Sequence, residues 1–285
     1  MLVALQYRPH NSLIERFDPR ARWFFSLLMM LAITQFMDVR FLVFFFLVSF
    51  VHYLFTRLTW KETSRAWLVI FLLLFVVIFV NTIITSSGTI GEVMLGSHPV
   101  LTIDTRFPVT GWPIQFTLTE ERLWFALAQF LRILSIAMLF VVIPYTMDPR
   151  TYGITFRGMG LPDRFAYTID LAFRFIPTLN RDFNLTMDAQ RARGYEIERG
   201  KGGLIAQTRR VAPLIIPVTM NSILTGEDIA NAMDLRCFGL RARTWIQTLK
   251  YQWYDYALIG FASAVLIASF ILRYGFQVGG FWMPG

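Results

Sequence analysis

Residues 66–85 read AWLVIFLLLFVVIFVNTIIT. No charged side chain interrupts the run, and its length matches the roughly 20 residues an α-helix needs to cross a bilayer. Asn81 is polar and lies near its end. Leu123–Ile143 is a second run of this kind, with Arg132 as its one charge. Composition points the same way. The chain has 285 residues, 55% of them hydrophobic and 16% charged, with 28 Phe and a mean hydropathy of +0.49. That profile is an integral membrane protein's rather than a soluble domain's.

Three further apolar segments flank these two. Trp23–Met37 and Phe41–Phe55 are separated only by Asp38-Val39-Arg40. Each is short for a span, so the pair reads either as a tight helical hairpin with snorkelling ends or as a re-entrant pair. Tyr256–Leu272 is the last segment. The expectation is an all-α integral membrane protein with about five transmembrane helices.

The loops orient these crossings. Arg8, Arg16, Arg20 and Arg22 precede the first segment, and Arg57, Lys61 and Arg65 follow the second. Residues 86–122 carry only Arg106 and Arg122 against Glu92, Asp104, Glu120 and Glu121. Residues 145–254 are rich in arginine. An N-terminus inside and a C-terminus outside place every basic stretch on the cytoplasmic side of a cell membrane. The outer loop 86–122 is rich in Gly, Thr and Pro, and β-formers such as Phe116 and Thr117 suggest a short hairpin within it. The domain reading is 1–144 for four spans, 145–254 for a cytoplasmic and interfacial region, and 255–285 for the last span and tail.

The region 145–254 has helical structure of its own. Asp163–Leu179 reads as an amphipathic helix with a break near Pro177, and Leu179–Tyr195 as a second helix stopped by Gly194. Val211–Leu224 is apolar but short and contains Pro213 and Pro217, so it reads as interfacial rather than spanning. Thr225–Phe238 continues as helix, closed by Gly239. These amphipathic helices suit an interfacial layer that also touches partner proteins.

Several chemistries find no support. His10, His52 and His98 lack ligand spacing, so no metal site is expected. No Ser, His and Asp set suggests a hydrolase, and no catalytic residue or cofactor is expected. The glycines from Gly194 to Gly202 carry one residue too many for a phosphate loop, and Gly202 stands where a magnesium-binding hydroxyl belongs. This chain is not expected to bind ATP, and if it works against a gradient the energy comes from another subunit. Arg132 reads as a charge paired with a neighbour or a carbonyl rather than as a substrate site. Net charge is +8 with a pI near 9.9, which the positive-inside rule explains without a nucleic-acid partner. The lone Cys237 excludes an internal disulfide, and the first residues lack the apolar core of a cleavable signal peptide.

One pattern occurs twice. Ala189-Gln190-Arg191-Ala192-Arg193-Gly194-Tyr195 aligns with Ala232-Met233-Asp234-Leu235-Arg236-Cys237-Phe238. Each has Ala, three residues, Arg, a small residue and an aromatic, and Ala and Arg four apart share a helix face. An arginine near a helix C-terminus is explained by the dipole and the last carbonyls. Two copies of the whole pattern ask for more, namely a target with two like sites. A guanidinium offers five donors in a planar fork, and the small Gly194 and Cys237 leave it unshielded.

These segments resemble the T component of energy-coupling-factor (ECF) ABC transporters. The resemblance rests on Leu171-Ala172-Phe173-Arg174-Phe175-Ile176-Pro177, on the two arginine motifs, on Phe17-Asp18-Pro19-Arg20, and on Thr119-Glu120 before the fourth span. The chain departs from the family pattern at Arg22, Glu121 and Leu235-Arg236-Cys237. The resemblance implies a scaffold and energy-coupling subunit of a vitamin or metal-ion importer. It implies coupling helices that dock two cytoplasmic ATP-binding subunits through Ala192, Arg193, Gly194 and Leu235, Arg236, Cys237. It implies helix packing at Ala189, Ala232, Arg174 and Pro177, and a membrane substrate-binding S component as a further partner. A permease of another ABC type, with its own substrate path, is the competing reading, but its spans should be more polar. A membrane-embedded enzyme is a third reading and lacks a catalytic set.

Overall fold

The computed structural model describes residues 12–84, 99–106, 113–195, 204–240, 245–246 and 248–280. His10, His98, Glu92, Arg241, Arg243 and the glycine-containing segment 196–203 lie outside them. The fold is all-α: α1 (Pro19–Thr34), α2 (Val39–Phe55), α3 (Trp60–Ile84), α4 (Glu120–Thr146), α5 (Tyr152–Gly158), α6 (Asp163–Ala192), α7 (Leu204–Leu235) and α8 (Trp253–Phe270). Between α3 and α4 an antiparallel hairpin joins β1 (Pro99–Arg106) to β2 (Pro113–Thr119), with Thr102 opposite Thr117 and Ile103 opposite Phe116. A hairpin was the sequence expectation at this place. Among the described residues, three helical stretches are long and apolar enough to cross a membrane: Trp60–Asn81, Leu123–Thr146 and Trp253–Gly275. Val39–Phe55 is a shorter apolar helix.

Helix starts follow their capping chemistry. Asp18, Asp38 and Asp148 each precede a helical turn and accept a bond from the backbone N–H two residues on, at Arg20, Arg40 and Arg150. Pro19 and Pro149 fill the first helical position, where no donor is needed. Inside lipid there is little hydrophobic drive between helices, so close packing and small residues decide which faces meet. α1 packs against α8, and Ala21 and Ala32 on α1 and Ala262 and Ser269 on α8 are buried. On α3, Trp67 and Leu74 form a buried stripe with Leu134 and Met138 of α4, while Leu68 and Phe75 are about two-thirds exposed. The exposed face suits hydrocarbon.

The α1–α2 turn contributes Phe36 and Val39 to the buried core. Phe36 stacks on Phe41 with ring centroids 4.7 Å apart and is 1% exposed. Arg132 of α4 donates to the Phe36 carbonyl, so this intramembrane charge is paired with a backbone oxygen, as the sequence suggested. The tail after α8 returns here, where the Met37 N–H donates to the Gly279 carbonyl at 3.0 Å. Gly279 has φ +90°, and a Cβ there would sit 2.3 Å from Phe36 Cδ1, so no other residue fits.

One expectation fails. There is no break at Pro177: residues 163–192 form one helix with Pro177 inside it. Val211–Leu224 runs on as helix beyond Thr225, as expected, within α7, which ends at Leu235 and contains Pro213 and Pro217. A proline removes one backbone bond and bends a helix. Here each is outweighed by long helical runs on both sides and by packing of α6 on α5 and α7. On α6, Tyr152 of α5 stacks against Phe173 at 4.8 Å, holding the turn just before Pro177.

The chain divides into two compact units. One holds the described residues of 6–147 and 250–285, with α1 to α4 and α8. The other holds those of 148–249, with α5 to α7.

Candidate functional site: two capped helix ends

Each arginine motif ends a long helix, and both ends close in the same way. At the end of α6, the Tyr195 N–H donates to the Gln190 carbonyl at 3.0 Å and the Gly194 N–H to the Arg191 carbonyl at 2.9 Å. At the end of α7, the Phe238 N–H donates to the Met233 carbonyl at 3.0 Å and the Cys237 N–H to the Asp234 carbonyl at 2.9 Å. These paired bonds define a Schellman cap, whose first residue past the helix must turn left-handed. Gly194 does so at φ +80° and Cys237 at φ +55°. The small residue in each motif is thus the left-handed position, and the arginine is the last residue before it.

That geometry lifts both arginines off the helix barrel. Arg193 and Arg236 are exposed, and neither guanidinium has a hydrogen-bond or ion-pair partner among the described residues. Ala189, Ala192, Ala232, Gly194 and Cys237 are also exposed. Leu235 is 87% exposed, an unusual place for a leucine outside lipid. Arg174 is exposed and lies 3.6 Å from Asp170 one turn earlier, and Pro177 is exposed on the same helix.

The two motifs are not brought together. α6 and α7 pack as an antiparallel pair: Asn221 of α7 donates to Asp182 of α6 at 3.2 Å, and Phe238, just past α7, rests on Tyr167 near the start of α6 at 4.6 Å. Arg236 therefore lies by the beginning of α6, and Arg193 lies at its far end. Helical rise over that interval puts roughly 40 Å between them. The antiparallel pair carries two like, cationic, exposed ends.

The Phe17-Asp18-Pro19-Arg20 stretch has partners that sequence reading missed. Arg20 grips Asp18 with two bonds, at 3.0 and 2.9 Å, and lies 3.9 Å over the Tyr251 ring. The Asp18 N–H donates to Asp255 Oδ1 at 2.8 Å, and Asp255 Oδ2 accepts from the Gln252 N–H at the start of α8. Phe17 meets Tyr254 edge-on at 5.3 Å. Partial burial raises the Tyr251 phenol above its ordinary value, so the ring beneath the cation is neutral. Arg22 donates to the carbonyl and hydroxyl of Thr146 at 3.0 and 3.2 Å. The only local signal for this network is the acid three residues after Gln252, which marks a reciprocal helix cap. Contacts between residues more than a hundred positions apart leave no trace in a single sequence.

Comparison with known proteins matches this architecture. The model of the CbiQ family, described as cobalt transport protein, matches residues 10–246. The energy-coupling factor transporter transmembrane protein EcfT of Ruminiclostridium cellulolyticum is 23% identical over 290 residues, covering 95% of this chain and 97% of that relative. The protein of the same name from Lactococcus lactis is 26% identical over 282 residues, covering 94% and 95%. That from Lactobacillus helveticus reaches 35% identity over 111 residues, 39% of each chain. With most of its length matched and apolar helices long enough to span, the chain is a membrane-embedded transport protein and belongs to the CbiQ family.

Proposed function

We propose that this chain is the scaffold and energy-coupling subunit of an ECF-type importer of vitamins or metal ions, linking two cytoplasmic ATP-binding subunits to a membrane S component that carries the substrate. The observation that carries this reading is the repeated cap: two helix ends of one geometry, each presenting an exposed arginine whose guanidinium has no partner among the described residues, at opposite ends of one antiparallel pair. A pair of like ATP-binding subunits offers two like grooves. ATP hydrolysis then belongs to the partners, and this chain passes their closing motion to the membrane.

In this reading α1, α2, α3, α4 and α8 cross the bilayer, with the N-terminus and α5 to α7 on the cytoplasmic side and the C-terminus outside. Loop charge supports the orientation. The apolar, exposed Ile215, Ile216, Met220, Ile223 and Leu224 of α7 supply a surface for the S component at the membrane face. Co-purification tests the assignment. Two ATP-binding subunits should accompany the wild-type chain and be lost from the Arg193→Ala, Arg236→Ala double variant. Retention of both subunits by the double variant contradicts it.

A further inference from the structure

The chain passes from the transmembrane unit to the unit of α5–α7 after Met147 and returns before Lys250. Both passages lie within a few residues of side chains held by the first turn of α1. On the outgoing side, Arg22 donates to Thr146 at the end of α4, at 3.0 Å to the carbonyl and 3.2 Å to the hydroxyl. That carbonyl is among the last of the helix, with no intrahelical donor of its own. On the returning side, Arg20 covers Tyr251, grips Asp18, and through the Asp18 N–H is tied to Asp255 in the first turn of α8. Tyr254 closes the same joint by donating to the Arg16 carbonyl at 3.2 Å.

The joint is buried and polar. Asp255 is 1% exposed and the Asp18 side chain 3%. Buried carboxylates are costly unless paired and hydrogen-bonded, and here every bond runs between α1 and α8 or within their caps. Bundle packing alone would be met by apolar residues, such as the buried Ala32 of α1 and Ala262 of α8, which share one core cluster. All of these polar bonds lie within the transmembrane unit, at the points where the chain leaves it and re-enters it.

We infer that Arg20 and Arg22 form one two-point clasp that delivers motion of the α5–α7 unit to the transmembrane helices, making them positioning residues for energy coupling. The inference rests on the ATP-coupled reading above. Arg22 reaches the Thr146 carbonyl and hydroxyl through one nitrogen, so a lysine can make these bonds. Arg20 needs the planar fork, because it holds two carboxylate oxygens and covers a ring at once.

Hydrogen exchange on the assembled complex, nucleotide-free against ATP with vanadate, tests the clasp. In the wild type, ATP should change protection in α6 and α7 and also at residues 19–26, 143–147 and 251–258. In the Arg20→Ala, Arg22→Ala double variant, the change should persist in α6 and α7 and be lost at the other three segments. Arg22→Lys should retain it and Arg20→Lys should lose it. Tyr251→Leu, which leaves both buried carboxylates paired, is measured alongside in case the double variant does not assemble, and it should also lose the signal. Undiminished transmission by an assembled double variant, or by Tyr251→Leu, overturns the clasp. A wild-type chain that binds no ATP-binding subunit, or shows no ATP response in α6 and α7, contradicts the functional reading instead.

Discussion

The end of α6 and the end of α7 share the same cap bonds but differ in the residue that makes the left-handed turn. Gly194 takes the left-handed turn without steric cost, whereas Cys237 takes it with a Cβ. A non-glycine residue in that conformation costs about 1–2 kcal/mol. The α7 end also carries the protruding Leu235 and seats Phe238 on Tyr167, where α6 has Ala192 and Tyr195. The backbone shape and the arginine are common to both ends, and the small residue, which could have been glycine twice, is not. What the two ends hold in common is the way an arginine is presented, and that is the property two like partners would read.

The arginines should give the largest effect. A guanidinium seated in a partner groove costs about 2–5 kcal/mol when truncated, much of it from groups left unpaired. Arg193→Ala and Arg236→Ala should each weaken binding of an ATP-binding subunit to that degree in a titration of the purified chain. Lysine should restore only part of it, because the fork is lost. A large loss at one end with none at the other would break the equivalence of the two ends.

A cysteine at Arg209 and another at Thr225, each in a chain lacking Cys237, probe the path between the two ends. Both should react from the cytoplasmic side, because α7 is interfacial in this account. Reaction from opposite sides would make α7 a sixth crossing and put the two arginines on different faces of the membrane.

Substitution at the left-handed positions should separate the ends most sharply, with opposite signs. Gly194→Val forces a β-branched residue to positive φ and should lower the thermal midpoint of the purified chain. Cys237→Gly relieves the same strain and should raise stability by about 1 kcal/mol. Neither should alter which subunits co-purify, since the arginines remain.

Much of this arrangement was legible in the sequence because it depends on local pattern. The run at 66–85 had only one reading, and α3 covers it as far as Ile84. Gly194 announced the end of α6, since glycine is the usual left-handed residue past a helix. Cys237 gave no such signal, and Gly239 looked the better stop for α7, which ends at Leu235. Pro177 misled for a physical reason: local propensity counts the bond a proline removes, and cannot count the packing that carries a long helix through it. The clasp was invisible, because Arg20 and Tyr251 meet only once α8 has packed against α1.

The central claim is that both helix ends are covered by ATP-binding subunits. It is tested by timing maleimide modification of the native Cys237, and of an Ala192→Cys, Cys237→Ser chain, before and after the subunits are bound. Both thiols flank a docking arginine and are at exposed positions in the free chain. The account predicts prompt labelling of each in the free chain and strong protection of both in the complex. Equal labelling of either thiol with and without the subunits would contradict docking at that end.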